Sequence, residues 1–222
     1  MDGSKLALGS VVVLAVAAAA ARRGSRSGDP KQVTLERLWK RIGVLDFRAW
    51  IDEEFGDDDS WDVYEQMAAD HDLELELLEQ YLEEKGSIEV RDDGLIEFWQ
   101  LSSPALEIDV YQVIGDLPVA LHHHTATGAL PAIRREGLRS DVQRADQLSS
   151  GAGVYLTTEV SGPAVRGYGY KAARLHGGNP VCLTVRRTLD EIWPDPDDED
   201  LSSGSVQWIT GHVPPQDIVE WE

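Results

Sequence analysis

The stretch from Leu117 to Leu138, LPVALHHHTATGALPAIRREGL, constrains the fold more than any other part of the chain. Leu117, Val119 and Leu121 fall at the two-residue period of a strand with one buried face, and His122, His123 and His124 follow directly. A polar turn comes next, then a helix closed by Gly137. Strand parity separates the histidines. His123 continues the inward face of Leu117, Val119 and Leu121, while His122 and His124 point to the other face. Adjacent strand residues cannot converge on one ion, and no acidic ligand follows at helical spacing, so a metal centre is not expected here. A purely structural histidine at a strand end is the plain alternative.

With 222 residues, 42% of them hydrophobic, the chain can bury one core of ordinary size and a smaller second one. Acidic residues number 40 against 20 basic, a formal charge of −20. A nucleic acid would meet repulsion over most of this surface, so it is not an expected partner. Excess acid of this kind favours solubility rather than a cationic substrate. The single cysteine, Cys182, cannot form an internal disulfide and sits in the apolar run PVCLTV, which predicts a buried core thiol rather than a nucleophile.

Leu6 to Ala21 forms an apolar run preceded by Lys5 and followed by Arg22, Arg23 and Arg26. As a helix it would reach about 24 Å, a little short of a bilayer's hydrocarbon core, so spanning needs flanking residues or local thinning. Arginines directly after such a run stay on the cytoplasmic side, which predicts a membrane anchor with the bulk of the protein cytoplasmic. Export after cleavage of a signal peptide within the alanine run is the alternative. Gly24 to Lys31, GSRSGDPK, reads as a flexible linker, giving an N-terminal segment of residues 1–31.

Residues 32–103 read as a helical module. Leu35, Leu38, Ile42, Leu45, Ala49 and Trp50 give one helix with Thr34 as N-cap. The acidic turn GDDDS ends it and caps a second helix carrying Trp61, Tyr64 and Met67. A third helix spans Leu73 to Lys85, with Gly86 at its end. SIEVRDDGLIEFW then predicts a hairpin turning at Asp93 and Gly94. Helices followed by such a hairpin are winged-helix-like, yet the helix that would read DNA is LELELLEQYLEEK, without the basic residues that phosphates require. The module is therefore expected to serve a protein partner or to act as a spacer. Ser102, Ser103 and Pro104 mark its end, and alternation of Leu106, Ile108, Val110 and Val113 predicts the start of the next sheet in a domain of residues 104–222.

Within that domain, Gly151 and Gly153 precede a strand carrying Tyr155, and Ser161, Gly162, Pro163 and Ala164 start a helix. NPVCLTVRRTL reads as a nearly continuous buried strand, and Val206, Gln207 and Trp208 open a late one. In this order the pieces resemble the ADP-ribosyltransferase fold of the diphtheria-toxin and poly(ADP-ribose) polymerase type. That family has a first strand ending in a His-containing motif, a helix ending in Gly-Leu, a Gly-x-Tyr strand before a small-residue helix, and a late strand opened by Glu or a substitute.

The resemblance, over Leu117 to Glu222, implies an α+β architecture: a split antiparallel sheet with flanking helices, preceded by the winged-helix-like module and the apolar N-terminal helix. It implies NAD as substrate. It also implies that His123 holds the adenosine-side ribose with Thr125 beside it, that Tyr155 stacks near nicotinamide, and that Gln207 fills the third-motif position. Gly153 and Ala164 join the cofactor site by the same correspondence. The departure is Gln207, where the family usually places Glu; an amide can accept a ribose hydroxyl but cannot neutralise developing positive charge.

Two branches are close. HHHTATGALPAIRREGL is similar to toxins that ADP-ribosylate DNA. QWITGHVPPQDI is similar to RNA 2′-phosphotransferases, which do not depend on the third-motif Glu but need basic residues for phosphates, here Arg134, Arg135, Arg139 and Arg144. The expected activity is ADP-ribosyl transfer from NAD to a protein or small-molecule acceptor. An RNA 2′-phosphotransferase and a non-catalytic interaction protein that keeps the fold are the alternatives.

Overall fold

The computed structural model describes residues 28–42, 44–56, 59–98, 110–140, 153–158, 163–194 and 207–221. The apolar run from Leu6 to Ala21 lies outside them. Among the described residues no helix is long and apolar enough to cross a membrane. They form two compact units, divided between Gly94 and Leu95 and again between Val113 and Ile114. The expected boundary at Ser103 lies outside the described residues.

In the first unit, helix α1 spans Pro30–Trp39 and begins inside the segment expected to be linker. Asp29 is the N-cap, its side chain accepting from the Lys31 amide, with Pro30 already shaped for the first turn. Thr34 is therefore not a cap. It lies buried in mid-helix, and its hydroxyl donates to the Gly94 carbonyl at 2.8 Å. Thr34→Val, nearly the same shape, strands that carbonyl; a loss of about 1–2 kcal/mol is expected in urea unfolding, and an unchanged midpoint would refute the bond's role.

The single helix expected from Thr34 to Trp50 is two. After α1 the amides of Arg41 and Ile42 both return to the Leu38 carbonyl, tightening the last turn, and α2 starts afresh at Val44–Phe55. The chain carries glycine at position 43, a poor helix former between two good runs. Helix α3 is Ser60–Ala69 and α4 is His71–Gly86, which starts earlier than its apolar pattern because Asp70 caps the Asp72 and Leu73 amides. Phe47, fully buried, gathers Trp39, Trp50 and Tyr81 around it with ring centroids 5.2 to 5.8 Å apart. Leu73, Leu77, Leu78 and Leu82 complete this core from α4.

Strand β1, Ile88–Val90, leads to the expected turn, where Gly94 has φ 80° and its amide bonds the Arg91 carbonyl. Strand β2, Ile96–Phe98, belongs to the second unit. Val110 and Val113, expected to alternate in a strand, lie instead in the short helix α5, Val110–Ile114, because a spacing of three fits a helix turn as well.

The second unit is mixed α and β. Strand β3 is Val119–Ala126, followed by a 3-10 turn at Thr127–Ala129 and helix α6, Leu130–Glu136. Then come β4, Val154–Thr157; α7, Pro163–His176; β5, Pro180–Arg187; β6, Ile192–Pro194; β7, Gln207–Thr210; and β8, Ile218–Trp221. One edge of β3 carries β5 over the whole strand, from Val119↔Arg187 to Ala126↔Pro180, and β5 carries β8. The other edge is shared: β2 pairs with its start in parallel at Ile96↔Val119, and β4 meets it antiparallel at the one registered pair His122↔Thr157. Beyond β4 lie β7 and β6. The sheet is thus mixed rather than purely antiparallel, because β2 joins β3 in parallel. Leu121, Leu156, Leu183, Val185 and Trp208 fill its apolar face.

Candidate functional site

Register fixes which side chains share a face, since partners lie side by side and neighbours along a strand alternate. His122 pairs with Thr184 on β5 and with Thr157 on β4; Thr184 pairs with Glu220 on β8, and Thr157 with Gln207 on β7. Four strands therefore contribute one polar row, Glu220, Thr184, His122 and Thr157, on the face opposite Leu121, Leu156 and Leu183. Tyr155 and His124 occupy the same face one step along their strands. His122, Thr157 and Thr184 are buried, at 3%, 6% and 5% exposure.

The row has hydrogen-bond continuity at one end. Thr184 Oγ1 donates to Glu220 Oε2 at 2.8 Å and stands 3.4 Å from His122 Nδ1. A bulge in β8 makes this possible: Val185 faces Ile218 while Thr184 faces Glu220, so one extra residue intervenes on β8. Ile218 and Glu220, two apart, would otherwise share a face. With the bulge, Ile218 enters the core and Glu220 the polar row.

The expected site residues are placed as follows. His123 does lie on the opposite face from His122 and His124, and its Nδ1 is 3.0 Å from the Tyr155 carbonyl. A carbonyl only accepts, so Nδ1 carries the proton there. His123 is half-buried, less enclosed than His122. Tyr155 is half-buried on the polar face, and Gln207 opens β7 in register with Thr157. Thr125 is 1% exposed and faces Val181 within the sheet, so its hydroxyl is in the core. Gly153 has a packing reason: a Cβ there would collide with the Ile209 side chain of β7. Ala164 lies in the first turn of α7.

Cys182 is half-buried rather than a core thiol. It shares the polar face, opposite His124, whose Nε2 is 4.0 Å from its sulfur. Of the arginines expected to gather phosphates, Arg134 lies over the Trp221 ring at 5.2 Å, and Arg135 and Arg139 both bond Glu136. The hydrogen bonds from Arg135 and then Arg139 hold the Glu136 carboxyl below the usual carboxylate range. Arg144 lies outside the described residues.

Sequence reasoning set His122 aside and missed Thr157, Thr184 and Glu220. The signal was present for Thr184, a polar residue between Leu183 and Val185, whereas His122 is followed by His123 and Thr157 by Thr158. Glu220 could be found only with the bulge known. Among the described residues no group of three or more His, Cys, Asp or Glu side chains could hold a metal ion. No protein-family model matches the chain, and no curated protein matches its sequence.

Proposed function

We propose that the second unit binds NAD and transfers its ADP-ribose to a nucleophilic group on a protein or small molecule. The observation that carries the reading is the polar row crossing four strands, with Tyr155 on the same face and β3 and β4 paired at a single position within it. Such a row supplies the hydrogen-bonding groups that an extended dinucleotide needs.

In the transfer, the bond from the ribose C1′ to the nicotinamide nitrogen breaks and its electron pair leaves with nicotinamide. The acceptor's lone pair then bonds C1′, and the acceptor's proton goes to solvent or a basic side chain. The positive charge that grows on the sugar has to be met by fixed dipoles in a dry site. His123, bonded through Nδ1 to the Tyr155 carbonyl but facing the other side of the sheet from the row, has no part in this scheme. The Tyr155 ring would lie against nicotinamide, and the Gln207 amide would accept a ribose hydroxyl. Thr125, within the core, has no part in this scheme, and Gly153 serves packing. The same proposal has the run from Leu6 to Ala21 tether the enzyme to a membrane with its bulk in the cytoplasm, and the acidic first module receive a protein partner.

Titration with NAD by calorimetry tests the reading. Binding at or below about millimolar NAD is expected, weakened at least about tenfold by Tyr155→Ala with the melting temperature kept within a few degrees. Absence of any heat at millimolar NAD would refute the reading and leave a non-catalytic interaction protein. Where NAD binds, phosphate release from 2′-phosphorylated RNA in its presence would replace the transferase by an RNA 2′-phosphotransferase.

A further inference from the structure

We infer that the outward face of α7 is a docking surface for an acidic segment of a partner protein. The inference stands apart from the NAD reading and needs none of the residues in the polar row.

Sequence and helix geometry set up the face. No Asp or Glu occurs from Val160 to Leu189, in a chain with 40 acidic residues against 20 basic. At about 100° per residue, Gly167 has Arg174 roughly 20° to one side and Lys171 roughly 40° to the other. Tyr170 lies beyond Arg174, and Leu175 and Tyr168 lie beyond Lys171. Tyr170 is 62% exposed, Leu175 52% and Tyr168 44%, with Lys171 and Arg174 exposed between them. The opposite side of the helix holds Gly169, where an added Cβ would meet the Pro180 side chain of β5, and the fully buried Ala172. The tyrosines therefore flank a basic strip on the side turned away from the sheet.

Two features separate this face from an ordinary solvated one. Glycine weakens a helix interior, and the close approach of a neighbour is the common reason for it. Gly169 has that reason in Pro180. A Cβ on Gly167 would meet nothing within 4 Å beyond its own stretch of helix, so the protein's own packing does not call for the gap. Side chains on a helix lean toward its N-terminus, which sets Tyr170 and Lys171 beside that gap. The second feature is Arg174. In the same unit Arg135, Arg139 and Arg187 are paired with carboxylates and Arg134 lies over the Trp221 ring, whereas among the described residues Arg174 has no such partner. The helix dipole favours a cation in the last turn, but it does not account for exposed tyrosines beside one.

The order across the face selects the partner. Cations at the centre with rings and Leu175 at the rim suit carboxylates set among apolar side chains, and Tyr and Arg are favoured where one protein meets another. A membrane-surface helix instead keeps an unbroken apolar stripe to enter the lipid, and here two cations would have to go in first. A nucleic acid would meet the repulsion of a chain with formal charge −20.

Calorimetric titration of the full chain with a synthetic glutamate-rich peptide carrying interspersed leucine and phenylalanine tests the surface. Its glutamine counterpart, phosphatidylserine-containing vesicles and single-stranded DNA serve as the other arms. The glutamate peptide should bind with a Kd of about 100 µM or below, weakened at least about tenfold by Arg174→Glu and by Tyr170→Ala. Gly167→Leu fills the gap, so it should weaken peptide binding about tenfold while raising the melting temperature by about 2–4 °C. A glycine with no interface role would show the second change without the first. Absence of peptide binding, equal binding of the glutamine peptide, or binding indifferent to all three substitutions would overturn the inference. Binding to the vesicles or the DNA that responds to these substitutions, in place of peptide binding, would overturn it in favour of lipid or nucleic acid.

Discussion

Gly128→Ala is expected to cost about 3 kcal/mol and lower the melting temperature by roughly 6–12 °C. Gly128 stands in the turn that carries β3 into α6, pressed against the end of α7. A methyl group there would fall on the His176 and Gly177 carbonyl oxygens, which belong to backbone and cannot swing aside. The same turn is tied down by three hydrogen bonds: Gly128 amide to Gly177 carbonyl at 3.1 Å, Thr127 amide to Asn179 carbonyl at 2.9 Å, and Asn179 amide to Thr127 Oγ1 at 2.9 Å. Relieving the clash therefore breaks bonds on both sides of it. Because the turn follows directly on the histidine strand, the variant should also bind NAD more weakly at temperatures where it is still folded. A melting shift of less than about 2 °C would show that the end of α7 yields easily.

Much of this neighbourhood was legible before any coordinates. The alternation of Leu117, Val119 and Leu121 predicts β3, Gly137 closes α6 as expected at φ 76°, and strands and helices lie where Tyr155, Pro163, PVCLTV and Gln207 announced them. Strand parity also separated His123 from its neighbours correctly. What parity could not supply was the relative worth of the two faces. It follows one strand, whereas the polar row exists only once four strands are in register. His122 gains its meaning from Thr184 and Thr157, and neither lies near it in sequence.

The remaining differences have equally local causes. Thr34 looks like an N-cap because threonine often is one, but Asp29 before Pro30 is the stronger start signal, which frees Thr34 to bond the Gly94 carbonyl. Glu220 was invisible because a strict two-residue period puts it on the face of Ile218. Only the bulge, a long-range consequence of pairing with β5, separates them.

Asp217→Ala should destabilise the protein by about 3–5 kcal/mol, because it strands a buried cation. Arg187 is 4% exposed, and Asp217 Oδ2 accepts from its Nη1 at 2.7 Å. The Arg186 and His212 carbonyls take two further N–H groups at 3.0 and 3.1 Å, but carbonyls cannot balance the charge. Asp217 is itself 29% exposed, so water can partly replace its carboxylate and the loss should fall near the lower bound. The double variant Arg187→Met with Asp217→Ala removes both charges and should recover most of that loss, which a double-mutant cycle in guanidinium or urea would measure. A double variant as unstable as Asp217→Ala alone would show that the pair matters for shape rather than charge. Position adds a second effect. Arg187 ends β5 and Asp217 directly precedes β8, so this ion pair clamps the two strands whose bulged register brings Glu220 to Thr184.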